Sequence, residues 1–447
     1  MSRVLWQEIH ARFDPQLPAR ETQRAERTNS PVNIIGESLD LPMGIPRALL
    51  TGTIGTGKTT ELFRIAEERR GKEFVIFLQL DRHFQETVGD FAALETVSPW
   101  EVCFLAGLSI LRGAEQFGFR FPEIHERELA HAWQAAAKAS GVEHPPEIDV
   151  AKLAKQVAVL ASNVVGGGVG VGLAALGAVA DAGKWSLPFG RVTRVLHDSD
   201  ASAKSILHSV NTLIGLVQQR FRPILLIIDG LDYIKDVDRA RDLFIDSHMI
   251  SNLDCRMVVS GPFALRHSQF VAGIQSRLSI VAPLVNVPVL RHDDPTQYGD
   301  GIEFFRELYQ RRIVGLGSSA SGLLAPALLD KLSYYSGGRA REFVTMIRRL
   351  SEVAYIADAS TATTEMVDRV LRERRLKQET GLHKGHLELL QSVVDDPRHE
   401  RPRDPLVEEL LISGSLLPYP NESEWYYPNP LLMMHKLRTS ASSTKLS

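Results

Sequence analysis

Two stretches carry residue types that could handle phosphate. The first is RALLTGTIGTGKTTEL, Arg47 to Leu62, in which Gly52, Gly57, Lys58 and Thr59 fall in Gly-x-x-x-x-Gly-Lys-Thr spacing. Glycine at those places permits the turns that aim successive backbone N–H groups inward as an anion nest. A helix starting at Lys58 would add its N-terminal dipole and unsatisfied N–H groups. Lys58 offers a charge to β- and γ-phosphates, and the Thr59 hydroxyl offers a ligand to Mg2+. The candidate cradle therefore comprises Gly52, Thr53, Ile54, Gly55, Thr56, Gly57, Lys58, Thr59 and Thr60. The second stretch is PILLIIDGLDYI, Pro223 to Ile234. Its apolar run stops at Asp229, the expected second Mg2+ ligand. The next residue is Gly230, where many nucleotide-driven proteins place a catalytic glutamate. Hydrolysis needs a group that activates or orients water. Asp232 is the candidate if the chain turns at Gly230; otherwise it caps a following turn or helix.

These residues need elements to hold them. Ala48 to Leu50 suits a buried strand, and a helix is expected over Lys58 to Glu68. Further strands are expected at Glu73–Leu80, at the Asp229 run, at Cys255–Gly261 and at Leu284–Leu290, with helices near 99–117, 124–139, 203–220 and 237–248. An unbroken Ile/Leu run ending in an acid describes a central parallel strand covered on both faces, its acid at the ligand edge. The expected fold class is α/β: a doubly wound parallel-sheet P-loop NTPase core, then a helical lid, then a small winged-helix-like α+β domain. Ser260 ends its strand at the ligand edge, where its hydroxyl would reach a γ-phosphate or attacking water, or would simply end the strand. Beyond Leu290 helices are expected near 301–314, 323–335, 339–356 and 364–377. Arg341 stands in the first turn of one of them, an unfavourable place for a cation unless it faces an anion.

From Leu387 onward two short helices precede an apparent hairpin, SLLPYPNESEWYY, with Pro420-Asn421 as its turn. The helix near 405–413 carries Glu408 and Glu409 and no lysine or arginine, which suits protein contact better than base readout. The run Arg369 to Lys384 is the best local nucleic-acid candidate, although no aromatic side chain interrupts it and a solvated helix face is the simpler reading. The expected domains are an arm over 1–30, the core over 31–290 with an insert at about 95–200, the lid over 291–378, the winged-helix-like piece over 379–437 and a disordered tail over 438–447.

The bulk composition restricts the rest. The chain has 447 residues, 44% hydrophobic and 23% charged, with a net charge of −3, so no overall basic field attracts nucleic acid or membrane. Two cysteines, Cys103 and Cys255, make neither a disulfide framework nor a zinc site. The first residues, MSRVLWQEIHARFD, lack a signal-peptide core, and a cytoplasmic location is expected. Val157 to Ala180 is uncharged and long enough to span a bilayer, but its glycines and lack of an aromatic belt weaken insertion. A flexible or partner-facing insert, a buried hairpin and a membrane-inserting segment all remain open, with membrane contact the least expected.

The chain resembles AAA+ and STAND-type P-loop ATPases, nearest the origin-recognition-like branch, strongly at the two phosphate motifs. The resemblance implies ATP as the nucleotide; no guanine-specifying Asn-Lys-x-Asp occurs. It makes Ile34 and Ile35 of PVNIIG adenine contacts, Ser260 a sensor and Arg341 a lid arginine on the γ-phosphate. It further implies that Arg277 of QSRLS is an arginine finger acting on a neighbouring subunit. Two departures stand out: Gly230 replaces the usual acid, as in NACHT-like switches, and Ala340 stands where a STAND lid places proline. The implied activity is an ATP-binding, ATP-hydrolysing switch, slow or partner-gated, that oligomerises or changes shape to regulate a protein effector in bacterial defence or signalling. The alternatives are an ATP-dependent DNA loader or targeting ATPase, and an ATP-gated membrane-perturbing protein.

Overall fold

Ile224–Ile228 contains no polar side chain because both faces of its strand are covered; every residue of Ile224–Asp229 is buried. The computed structural model describes residues 2–438 apart from 20, 29, 43, 163–186, 191–193, 268–270 and 421–423. The described chain divides into two units. A sheet unit holds Pro31–Gly52 and Glu61–Pro283; a helical unit holds Met1–Ser30, Thr53–Thr60 and Leu284–Ser447.

In the sheet unit the strands are β1 (Arg47–Thr51), β2 (Phe74–Gln79), β3 (Val159–Ser162), β4 (Ile224–Asp229), β5 (Arg256–Gly261) and β6 (Ile280–Pro283), in the spatial order β3-β2-β4-β5-β1-β6. All neighbours pair in parallel except β2 with β3. The strand leading into the phosphate loop thus lies between β5 and β6, one strand removed from the strand that ends in Asp229. Register sets Leu50 beside Ser260 and Gln79 beside Asp229, so Thr51, Asp229 and Ser260 all finish at the same C-terminal edge. Helices Pro99–Gln116, Glu123–Ala139 and Ala201–Arg220 bury Phe104, Trp133, Ile206 and Val210 in the core shared with the sheet. On the sheet unit's other flank, buried Glu73 takes Arg69 and Arg256 together (2.6 Å from Arg256 Nη1), while Arg69 also reaches Asp40 at 2.8 Å.

Three expectations change. The last strand is Ile280–Pro283, not Leu284–Leu290. That second apolar run is buried as expected, but its amides bond elsewhere within the helical unit: Asn286 N–H to the Pro418 carbonyl (3.2 Å) and Val287 N–H to Gly338 (3.0 Å). The start of the glycine-rich stretch is an antiparallel edge strand, β3; residues 163–180 of it lie outside the described residues. The helix expected to His248 is regular only over Val237–Arg241 and then widens into a π turn over Asp242–Asp246. No helix among the described residues is long and apolar enough to cross a membrane.

The helical unit contains Ile302–Ile313, Pro326–Tyr335, Ala340–Ile356 and Thr364–Glu379, close to the expected ranges. Arg306 clamps Asp330 through two contacts of 2.7 Å, joining the first two. The first helix of the chain, Ser2–Arg12, packs on Ala340–Ile356, and Trp6 Nε1 donates to the Ala359 carbonyl at 2.9 Å. Lys384–Asp395 and Leu406–Ser413 are followed by an antiparallel pair, β7 (Leu416–Tyr419) and β8 (Trp425–Pro428), in the order read from the sequence. The turn at Asn421 and the tail over 439–447 lie outside the described residues.

One buried acid ties the sheet unit's inserted segment to its core. Glu101 accepts from Ser98 N–H (2.8 Å), Ser98 Oγ (2.8 Å) and Gly190 N–H (2.9 Å), yet burial pushes its carboxyl up from 4.5 to about 7. A folded-state pKa above the unfolded value means the folded chain holds the proton that the unfolded chain has lost. Stability from this group is therefore full below pH 4.5, declines as pH rises toward about 7 and is flat beyond. Glu101→Gln should remove about 3 kcal/mol of that pH slope. Denaturant unfolding of wild type and variant at pH 5 and pH 8 measures it; equal slopes would show that Glu101 is ionised throughout.

Candidate nucleotide site

The phosphate loop closes on itself. The Thr53 carbonyl accepts from Lys58 Nζ at 3.0 Å, from Thr56 Oγ1 at 2.9 Å and from Thr56 N–H at 3.4 Å. Lys58 is only 5% exposed, so its ammonium is presented inside the loop rather than to solvent. Gly55 (φ +91°) and Gly57 (φ +106°) take backbone conformations open to glycine and costly for other residues, as the turns of an anion nest require. The helix Lys58–Arg69 begins directly after them, with Thr59 and Thr60 in its first turn.

Within the helical unit, two arginines hold this loop. Arg27 Nη1 donates to the Thr56 carbonyl at 2.7 Å, and Arg27 Nη2 donates to the Val285 carbonyl. The backbone N–H of Arg341 donates to the Gly55 carbonyl at 3.1 Å. A Cβ on Gly55 would lie 3.3 Å from the Cβ of Arg341, closer than most carbon contacts, so this approach also selects glycine. Arg341 was expected from the sequence as a phosphate contact; its main chain fastens the helix Ala340–Ile356 to the loop. Arg27 was not anticipated, since nothing in its local sequence marks it.

At the sheet edge, Asp229 is 2% exposed and its Oδ1 accepts from Gly230 N–H at 3.0 Å. The same N–H reaches Ser260 Oγ at 2.9 Å, and Ser260 Oγ donates to Asp232 Oδ1 at 3.2 Å. The structure therefore joins two candidates read separately, Ser260 and Asp232, into one hydrogen-bonded group beside Asp229. Asp232 lies in a short 3-10 turn, Leu231–Tyr233, entered through Gly230 at φ +105°. A Cβ at Gly230 would come within 2.7 Å of Asp81 N and 3.2 Å of Leu80 Cβ. The glycine is required by the turn that delivers Asp232, and a glutamate has no room there.

The remaining candidates separate. Ile35 is fully buried in the helix Val32–Leu39, whereas Ile34 is 58% exposed, so the two point different ways. Arg277 is the last residue of the helix Val271–Arg277, and its Nη1 donates to the Ser247 carbonyl at 2.9 Å. Within the helical unit four cations of the basic run stand near acids. Arg374 meets Glu342 at 2.6 Å, Arg369 meets Glu373 at 3.2 Å, Arg375 meets Glu379 at 3.7 Å and Lys384 meets Glu388 at 3.4 Å.

A polyphosphate fits the loop on its own geometry: two left-handed glycine turns, a buried lysine and a helix N-terminus. Among the described residues no group of three or more His, Cys, Asp or Glu side chains could hold a metal alone. Mg2+ is commonly held by one or two side chains with phosphate oxygens and water, and the Thr59 hydroxyl and the Asp229 carboxylate are each donors of that kind.

The strand order, the loop that follows β1 and the acid that ends β4 define a P-loop NTPase core in a mostly parallel α/β sheet. No family model and no curated protein matches the chain. Solved structures similar to it are of origin-recognition and Cdc6 type. The Aeropyrum pernix ORC2 protein in its ADP form is 12% identical, with 94% of each chain covered and a TM-score of 0.43. The Aeropyrum pernix ORC1 protein in complex with DNA is 13% identical, covering 95% of this chain and 94% of that one, with a TM-score of 0.38. CDC6P from Pyrobaculum aerophilum is 13% identical, covering 98% and 97%, with a TM-score of 0.39.

Proposed function

We propose that this chain is an ATP-binding switch, with slow or partner-gated hydrolysis, whose nucleotide loop controls the arrangement of its C-terminal helices. The observation that carries the reading is the hydrogen bond from Arg341 N–H to the Gly55 carbonyl, with Arg27 on the Thr56 carbonyl beside it. A loop whose carbonyls are held by the lid helix and by the N-terminal segment is not an isolated phosphate cradle. Any change of the loop on taking up phosphate changes what those two arginines hold, and differential contact of this kind is what a ligand-driven switch requires.

In this reading Gly52, Thr53, Ile54, Gly55, Thr56, Gly57 and Thr60 cradle the phosphates, and Lys58 neutralises the β- and γ-groups. Thr59 and Asp229 ligate Mg2+, and of the Ile34–Ile35 pair the exposed Ile34 contacts adenine while Ile35 anchors its helix. Asp232, oriented by Ser260, positions the attacking water; Arg341 answers the γ-phosphate from the lid, and Arg277 would act across a homo-oligomeric contact. A protein effector is the partner this switch would regulate.

Steady-state phosphate release from Mg-ATP is the test, with Lys58→Ala as blank and Asp232→Asn beside it. Slow turnover is expected, absent in Lys58→Ala and at least about 100-fold lower in Asp232→Asn, the low end of what a positioned acid or base contributes. Unchanged release from Asp232→Asn would remove Asp232 from the chemistry. Failure of the wild-type chain to bind ATP would end the reading altogether.

A further inference from the structure

The helical unit encloses a second polar cavity, of about 380 Å³, away from the phosphate loop's own residues. Arg339, Glu342, Arg374, Lys377, His386 and Ser415 are among the residues that line it. Its cations and anions do not balance. Both carboxylate oxygens of Glu342 are taken by Arg374, at 2.6 and 2.7 Å. Glu409, the other acid in the wall, stands 3.2 Å from His386 Nε2. That leaves Arg339, whose Nε and Nη2 are buried without a hydrogen-bond partner, and Lys377, which makes no ion pair among the described residues. Arg339 is also pressed against Gly414: a Cβ there would overlap the guanidinium. Burial pulls the Arg339 pKa down, in the direction expected of a cation removed from water without hydrogen-bonded compensation.

Taking a guanidinium from water is costly unless an anion hydrogen-bonds it, and the Glu342 charge that attracts Arg339 has both its oxygens on Arg374. We propose that this cavity binds a small phosphate-bearing molecule, held between the Arg339 guanidinium and Lys377. The planar edge of a guanidinium matches two oxygens of one group, and the lysine ammonium acts as a point charge for the next. A carboxylate has only two oxygens, whereas a phosphate presents three or four to this set of donors. The volume is at the small end of the range for ligand sites, about 300 to 1,000 Å³, and admits a phosphomonoester as well as free phosphate. The pocket shares no lining residue with the phosphate loop, and silencing the loop at Lys58 lets this proposal and the proposed switch fail separately.

The experiment uses the full chain carrying Lys58→Ala, which silences the phosphate loop. Thermal unfolding is followed as inorganic phosphate, adenosine monophosphate or citrate is added. Phosphate or the monophosphate should raise the midpoint with concentration, because a ligand that binds only the folded chain stabilises it by mass action. A response to phosphate alone identifies the free ion as the ligand, and a stronger response to the monophosphate identifies an ester. Arg339→Met on the same background should weaken the apparent affinity at least about tenfold and Lys377→Gln about threefold, in line with lost charge-assisted contacts. Without ligand, Arg339→Met should unfold no earlier than its parent, since it removes a buried charge lacking a hydrogen-bonded partner. Lys377 is exposed, so its variant keeps the test valid should Arg339→Met misfold. No shift with either phosphate probe at millimolar concentration, a larger shift with citrate, or shifts unaffected by Lys377→Gln and Arg339→Met would each overturn the proposal.

Discussion

Gly230→Glu is expected to unfold the sheet unit, not to switch on hydrolysis. Restoring a glutamate after Asp229 looks from sequence like the repair of a missing catalytic acid. The geometry says otherwise. Gly230 sits at φ +105°, where a side chain costs on the order of 1–3 kcal/mol in backbone strain alone. Its first side-chain carbon would fall 2.7 Å from Asp81 N, a distance real carbons do not tolerate, so the strand end must shift. Position 230 is buried, and a carboxylate there needs a partner that Leu80 does not provide. The combined cost should exceed about 4 kcal/mol, comparable with the whole stability of many domains. Thermal unfolding and phosphate release on the same preparation measure both effects. A variant that melts with the wild type and hydrolyses faster would show that the turn at Gly230 is pliable and that the glycine is only an omission.

Lys58→Ala should lose nucleotide affinity by about 100-fold or more, roughly 3 kcal/mol, with little effect on folding. Lys58 is nearly buried, and its ammonium sits on the Thr53 carbonyl, a partner it would exchange for phosphate oxygens. That carbonyl keeps the Thr56 hydroxyl and amide in the variant, so the loop remains closed. Titration of a fluorescent ATP analogue into wild type and variant reads the loss directly. Equal affinities would place nucleotide somewhere other than this loop.

The parts legible from sequence were those encoded locally. Gly52 to Thr59 declared its loop through spacing, and Ile224 to Asp229 its strand through an unbroken apolar run ending in acid. An apolar run reports burial but not its partner, which is why Leu284–Leu290 read as a strand although Asn286 and Val287 bond to Pro418 and Gly338. The charges of Arg369 to Lys384 were plain; that Glu342, Glu373 and Glu379 stand near several of them depends on helix packing and helix-face spacing. Arg27 lies 29 residues before Thr56 and belongs to no motif, so only the folded chain reveals its contact. The same holds for Ser260 and Asp232, brought into one hydrogen bond by neighbouring strands 28 residues apart in sequence.

Nucleotide at the loop should be felt by the helix Ala340–Ile356 through Gly55 and Arg341. Amide hydrogen exchange over residues 339–346, with and without Mg-ATP, addresses it most directly, because the Arg341 amide is itself the reporting donor. In wild type the exchange rate of that segment should change on adding nucleotide, and in Lys58→Ala it should not. A wild-type chain that binds ATP with exchange at 339–346 unchanged would contradict the switch, leaving a nucleotide that is held without being transmitted.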